Sequence, residues 1–379
     1  MAKSLSSLWL KSVRRMGKAQ QAQGRRLLQS LVPRPVRAPA AKRAKPARLV
    51  KARPLAALRK TPVSAAGQVA SLPGSWQKSW FSVPGAGQAA PARRMLYWLY
   101  LPSGARPAPL PLVVMLHGCQ QTVTDFALST RMNTLAERKG FAVLYPQQSA
   151  TADAHRCWHW YKRSTQEGLG DVHLIAQMVA HVQAKHGLDR SRTYVAGLSA
   201  GAGLANILAL RYPDLVAAVG LHSAPVFGTT DSPLSAYHAM QHGSDTLHRK
   251  TVQALMAAAP AFPGMPAILL HGARDKVVRR VNMTQLTEQF VILNAACITR
   301  EPVVRAYPAR STGRHPRHAY ESATFYAGRK PHLVTSEIAH LGHAWSGGDG
   351  SVEFSDPQGP DATLMMWTFF SHHRRVMPS

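Results

Sequence analysis

The chain has 379 residues, 45% of them hydrophobic, and a formal net charge of +28. That length and apolar content suffice for one large α/β domain or two modest ones and exclude a wholly disordered chain. No run approaches the roughly 18–20 apolar residues of a membrane-spanning helix. Cys119, Cys157 and Cys297 are too few, and odd in number, for a disulfide scaffold.

The positive charge is concentrated at the start. Residues 1–60 carry 17 Lys and Arg and no Asp or Glu, and the first acidic residue of the chain is Asp125. Prolines recur from Pro33 to Pro91, so residues 1–94 read as a mostly disordered basic arm. Within 4–31, Leu5, Leu8, Trp9 and Val13 fall at helical spacing between Lys and Arg, which predicts an amphipathic helix. The arm cannot bury enough apolar surface to offset its chain entropy. Residues 1–60 suit an anionic surface, such as a granule coat or anionic lipid, ahead of nucleic acid. A solubilising tail with no partner is the simpler alternative. Leu5 to Val13 is a poor export signal, being broken by Ser and Lys11 and followed by Arg14-Arg15. The expected location is therefore cytoplasmic, with an extracellular one as the alternative.

From Met95 to the end, a single α/β domain is expected. Met95–Leu101 and Leu112–Leu116 read as strands, the second an apolar run of the kind covered on both faces. A helix over Phe126–Lys139, a strand over Phe141–Tyr145, a helix over Asp171–His186 and a strand over Thr193–Ala196 follow. Next come a helix over Ala202–Arg211, a strand over Leu215–Leu221, a helix over Thr246–Ala258, a strand over Ala267–Leu270 and a helix over Val281–Asn294. Pro302–Tyr307, Tyr320–Tyr326 and His332–Ile338 break the alternation and read as a small antiparallel excursion. Asp361–His372 reads as the closing helix. Such alternation predicts a mostly parallel central sheet with helices on both faces.

The strongest chemical signal is Gly197-Leu198-Ser199-Ala200-Gly201, placed between a predicted strand and a predicted helix. A serine on a strained strand-to-helix turn is an exposed nucleophile, and the flanking glycines leave room for the turn. It needs a base held by an acid, in the chain order Ser, Asp or Glu, His. Asp275, just past the strand Ala267–Leu270, is the acid; Asp231 and Asp245 lack a preceding strand. His343, in a Gly-containing loop after the last β-like run, is the base, with His340 as its rival. His271 and His222 lie at strand ends and read as structural. An oxyanion hole needs two backbone N–H groups, from Ala200 and from Cys119 in the loop Leu116-His117-Gly118-Cys119-Gln120-Gln121. No Cys/His cluster has zinc spacing, and neither metal nor cofactor is expected.

Taken in order, Leu116–Gln121, Cys157-Trp158-His159-Trp160, the Gly197–Gly201 box, His271–Asp275, Gly342-His343-Ala344-Trp345 and Ser355–Ala362 resemble the polyhydroxybutyrate depolymerase esterases. That family includes feruloyl and acetylxylan esterases. The resemblance implies an α/β-hydrolase fold and hydrolysis of carboxylic esters through Ser199, Asp275 and His343. It implies a poly(3-hydroxybutyrate) or short-chain polyhydroxyalkanoate substrate, with feruloyl or acetylxylan esters as the second reading and a pure surface-binding protein as a third. The basic arm in front resembles depolymerases that work on stored granules rather than the secreted members. Secreted members often pair the cysteines that match Cys119 and Cys157; a bridge and two free thiols both remain open. Trp158, Trp160 and Trp345 are candidate walls of an apolar substrate groove.

Overall fold

The computed structural model describes residues 72–84, 92–104, 108–311 and 316–376. The basic segment 1–60 and the amphipathic helix expected within 4–31 lie outside these residues.

Among the described residues, ten strands form one sheet in the order β1-β2-β4-β3-β5-β6-β7-β10-β9-β8. Its centre is six parallel strands: β4 (Ala142–Gln147), β3 (Leu112–Leu116), β5 (Thr193–Leu198), β6 (Ala218–His222), β7 (Ala267–Gly272) and β10 (Lys330–Ile338). Every residue of β3, β5, β6 and β7 is buried. Successive side chains point to opposite faces, so both faces of this centre are covered, and that is why these strands read as unbroken apolar runs. On one face Val113, Met115, Tyr194 and Ile268 pack with helices α1 (Val123–Thr130), α2 (Met132–Lys139) and the closing α9 (Ala362–Phe370). Tyr194 stacks on Phe370 at 4.9 Å. The remaining helices are α3 (Arg163–Gln166), α4 (Asp171–His186), α5 (Ala200–Arg211), α6 (Pro233–His242), α7 (Leu247–Ala258) and α8 (Val281–Leu293).

Several elements differ from the sequence expectation. Strand β1 (Ser75–Val83) pairs antiparallel with β2 (Arg93–Leu101), so the sheet begins inside the stretch assigned to the arm. Prolines at 73 and 84 bracket this strand rather than interrupt it, and Trp76 supplies an edge contact to Tyr145. The helix expected over Phe126–Lys139 is two helices, broken at Arg131, which adopts φ 53°. Helix α6 was not expected; Ser232 and Ser235 form a reciprocal cap and Pro233 opens it. Of the expected antiparallel excursion, β8 (Val303–Tyr307) and β9 (Tyr320–Ala327) fit, but β10 pairs parallel with β7 and belongs to the central body.

The strand order reverses direction between β3 and β5: β4 lies to one side and β6, β7 and β10 to the other. A crevice opens outside the carboxyl ends of parallel strands at such a switch point. The loop after β3 and the turn after β5 both leave there.

Candidate active site

Ser199 sits between β5 and α5 with φ 58° and ψ −122°, a region that non-glycine residues rarely occupy. It is the N-cap of α5, yet its hydroxyl makes no capping bond, which leaves Oγ uncommitted at the helix start. The turn is held by backbone: Ser199 N donates to His222 O at 3.0 Å, and Gly203 N donates to Ser199 O at 3.0 Å. The two glycines are steric necessities. A Cβ on Gly197 would lie 2.5 Å from Gly201 O, and one on Gly201 would lie 2.1 Å from Leu116 O. Helix α5 thus starts directly against the end of β3.

The loop after β3 passes over this turn, and the Cβ position of Gly118 lies 3.6 Å from Ser199 Cβ. Its donors are mostly committed. Gly118 N donates to Gln121 Oε1 at 2.8 Å, Gln120 N to His155 O at 2.6 Å and Gln121 N to Gly118 O at 3.4 Å. Cys119 N–H makes no hydrogen bond among the described residues, and Ala200 N–H belongs to the first helical turn, where donors have no intrahelical partner. His117 braces the loop from below: Nδ1–H donates to Gly118 O at 2.8 Å, and Nε2 accepts from Gln148 N at 3.1 Å. Burial pushes its imidazole down to about 4, so it is neutral at physiological pH. Cys119 is bonded to Cys157, closing a span of 38 residues. In the chain-entropy picture such a closure contributes about 4 kcal/mol. A bridge of this kind persists in oxidising compartments and not in a reducing cytosol, which runs against the cytoplasmic expectation.

Asp275 follows β7 and His343 follows β10, neighbouring parallel strands. His343 Nδ1–H donates to Asp275 Oδ2 at 2.7 Å. The other carboxylate oxygen, Oδ1, accepts from Val277 N and Val278 N, both at 2.9 Å. The Asp275 side chain is fully buried and that of His343 is 11% exposed. Burial alone works to raise the carboxyl, but the charge and hydrogen bond of His343 outweigh it and the group falls to about 2. Asp275 is therefore an anion at every physiological pH. The rival base His340 is exposed and lies beside His318, with ring centroids 5.8 Å apart.

The structure corrects the aromatic assignments. Trp158 and Trp345 are 0% exposed and Trp160 is 5% exposed, so they do not form open walls for a substrate. They hold the loops instead. Trp158 Nε1–H donates to His117 O at 3.0 Å, under the loop after β3. Trp345 Nε1–H donates to Thr363 Oγ1 at 3.1 Å, tying the His343 loop to α9. Trp160 lies against Gly203, where a Cβ would stand 3.1 Å from its ring. His222 and His271 are both buried at strand ends, and burial depresses both imidazoles.

The esterase PHB depolymerase family model matches residues 95–312, more than half of the chain. The chain belongs to that family. The match ends before His343, whose place in the site rests on its bond to Asp275. Among curated proteins, this family member is 32% identical over 247 residues to a poly(3-hydroxyalkanoate) depolymerase C of Paucimonas lemoignei, covering 64% of this chain and 57% of that one. It is 28% identical over 204 residues to a probable acetylxylan esterase A of Neosartorya fischeri, covering 52% and 54%. The chain thus spans little more than half the length of these relatives. An acetyl xylan esterase structure from Aspergillus awamori superimposes with a TM-score of 0.58 at 21% identity, over 78% of this chain and 99% of that one. The fold is that of the α/β-hydrolase esterases. Among the described residues, no helix is long and apolar enough to cross a membrane.

Proposed function

We propose that this esterase cleaves its substrate through a Ser199–His343–Asp275 triad and that its substrate is a poly(3-hydroxyalkanoate) of short acyl units. The observation that carries the triad is the hydrogen bond between His343 and Asp275, on loops after the carboxyl ends of neighbouring parallel strands, the end of the sheet at which the strained Ser199 turn also stands. Because Nδ1 carries the proton shared with Asp275, Nε2 is left basic to take the proton of Ser199 Oγ as that oxygen attacks the ester carbonyl. The charge that develops on the carbonyl oxygen meets the free N–H groups of Cys119 and Ala200. His343 then returns the proton to the leaving alcohol, and water repeats the sequence to release the hydroxy acid.

Two observations support the finer reading. The relative named as a poly(3-hydroxyalkanoate) depolymerase aligns over a larger share of the chain than the probable acetylxylan esterase, at higher identity. The Cys119–Cys157 bridge favours an oxidising compartment, and so the extracellular alternative. The basic residues 1–60 serve, in this reading, to hold the enzyme on an anionic surface.

The test is release of soluble 3-hydroxybutyrate from amorphous poly(3-hydroxybutyrate), run beside acetate release from acetylated xylan, with Ser199→Ala as control. Polymer hydrolysis that falls at least about a thousandfold in Ser199→Ala is expected. Release from xylan alone would move the substrate to the acetylxylan branch. Undiminished hydrolysis by the Ser199→Ala protein would remove the triad.

A further inference from the structure

Resting on the triad reading, we infer that His222 is a positioning residue for hydrolysis: a neutral imidazole that joins the nucleophile's turn to the loop carrying the base. The residue is 0% exposed at the end of β6, between β5 and β7. Three of its contacts reach the two parts of the site, one to the turn of Ser199 and two to the loop of His343. Its carbonyl accepts the Ser199 N–H at 3.0 Å, fixing the backbone of the nucleophile. Its Nε2 accepts the N–H of Ser346 at 3.2 Å, three residues beyond His343. Its ring stacks on Trp345 at 5.2 Å and 28°. Its remaining nitrogen, Nδ1, faces Ser223 Oγ at 3.2 Å.

These partners define its chemistry. A backbone N–H can only donate, so Nε2 must be unprotonated and the proton must sit on Nδ1, directed at Ser223 Oγ. An imidazolium could not accept from Ser346. The titratable groups that face it are His271, Asp275 and His343. Burial pushes the His222 imidazole down to about 3, consistent with a group kept neutral for this task.

The rest of the base loop is anchored elsewhere. Ser346 Oγ–H donates to Pro360 O at 2.7 Å, and Thr363, the partner of Trp345, donates to Thr130 O at 2.6 Å. Those bonds fix the loop to the outer helices. His222 contacts both the Ser199 turn and the loop of His343, and so sets the spacing between nucleophile and base. Misplacement of reacting groups by about 1 Å can cost about a hundredfold in rate.

The experiment compares wild type, His222→Phe and His222→Gln. Phe keeps the ring stack but cannot accept from Ser346; Gln restores an acceptor. The readouts are kcat and KM for a soluble p-nitrophenyl ester, and the second-order rate of Ser199 modification by a fluorophosphonate. His222→Phe should lower kcat and the modification rate by about ten- to a hundredfold with KM within about threefold, and Gln should recover most of the loss. A simple packing role would instead lower the amount of folded enzyme without changing the modification rate per folded site. Because the Phe variant could fail to fold, ring-nitrogen NMR on the wild-type protein provides a second test, with a neutral Nδ1–H tautomer expected for His222. A modification rate within about twofold of wild type in folded His222→Phe, or a protonated Nε2 in the wild type, would overturn the inference. Failure of the wild type itself to react at Ser199 would instead sink the triad reading.

Discussion

At the scale of single residues, the site is built from groups whose charge is fixed by their surroundings. Asp275 is held ionised by His343 and by two backbone N–H groups, while His117 and His222 are held neutral by burial. The second pair makes stability depend on pH. In the unfolded chain both imidazoles titrate near 6.5, but in the folded protein they titrate near 4 and 3. Between those limits the unfolded state binds protons that the native state refuses, so stability falls as pH falls. Each imidazole contributes a slope of about 1.4 kcal/mol per pH unit, fully developed near pH 5 and absent above about pH 7.5. Denaturant midpoints measured from pH 7.5 to pH 4.5 should fall accordingly, and His222→Phe should remove one proton's share of the slope. A flat stability profile over this range would show that these rings titrate normally in the folded protein. The residues of the proposed triad are restricted in the sequence by chain order and strand context: Ser199 in its glycine box, Asp275 past a strand, His343 in the last loop. The roles of Trp158 and Trp345 were not legible. An aromatic side chain beside a motif looks the same in sequence whether it lines a cleft or braces a loop, and only the bonds of their indole N–H groups to His117 O and Thr363 Oγ1 decide it.

At the scale of elements, close approach of backbone to backbone sets the site. Helix α5 reaches the end of β3 only because Gly201 has no side chain; an added Cβ would meet Leu116 O at 2.1 Å and His117 O at 2.4 Å. Neither carbonyl can move without displacing β3 and the loop that holds Cys119. Gly220 in β6 is a useful contrast, since a Cβ there meets Met366 Sδ at 2.8 Å and Phe370 Cζ at 2.9 Å, both ends of side chains. Gly201→Ala should therefore destabilise by more than about 3 kcal/mol or fail to fold, while Gly220→Ala should stay within the about 1–3 kcal/mol typical of overpacking. Equal midpoints for the two variants in urea would contradict this account. The central strands were legible from their unbroken apolar runs. The break between α1 and α2 was not, because its causes are distant in the chain. The carbonyls of Ser129 and Thr130 are taken by Asp349 N at 2.9 Å and Thr363 Oγ1 at 2.6 Å, and the Arg131 guanidinium bonds to Gly347 O. A helix-forming sequence is thus interrupted by the loop that follows the base, and local propensity carries no trace of it. Strand β1 was missed for the opposite reason: its aromatic alternation was present, but the surrounding proline and basic residues set the reading.

At the scale of the whole molecule, charge and catalysis are separated along the chain. Residues 1–60 hold 17 cationic residues and no anionic ones, and they end before the first strand at Ser75. The proposed triad follows β5, β7 and β10, far along the sequence from that segment. A segment of one sign gains affinity for an anionic surface from many weak contacts, each about 1 kcal/mol when a Lys or Arg nears an anionic leaflet. Those contacts fall off over a Debye length, about 10 Å at 0.1 M salt. Deleting residues 1–60 should therefore abolish co-sedimentation with phosphatidylglycerol vesicles at low ionic strength. It should leave kcat/KM for a soluble p-nitrophenyl ester within about twofold of the intact chain, since no residue of the proposed triad or oxyanion hole is removed. Raising the salt should detach the intact protein from the same vesicles without altering its turnover of the soluble ester. Co-sedimentation that survives both the deletion and high salt would assign surface binding to the folded domain. A drop in soluble-ester turnover on deletion would mean that the segment supports the site itself, and the division between tether and catalyst would have to be abandoned.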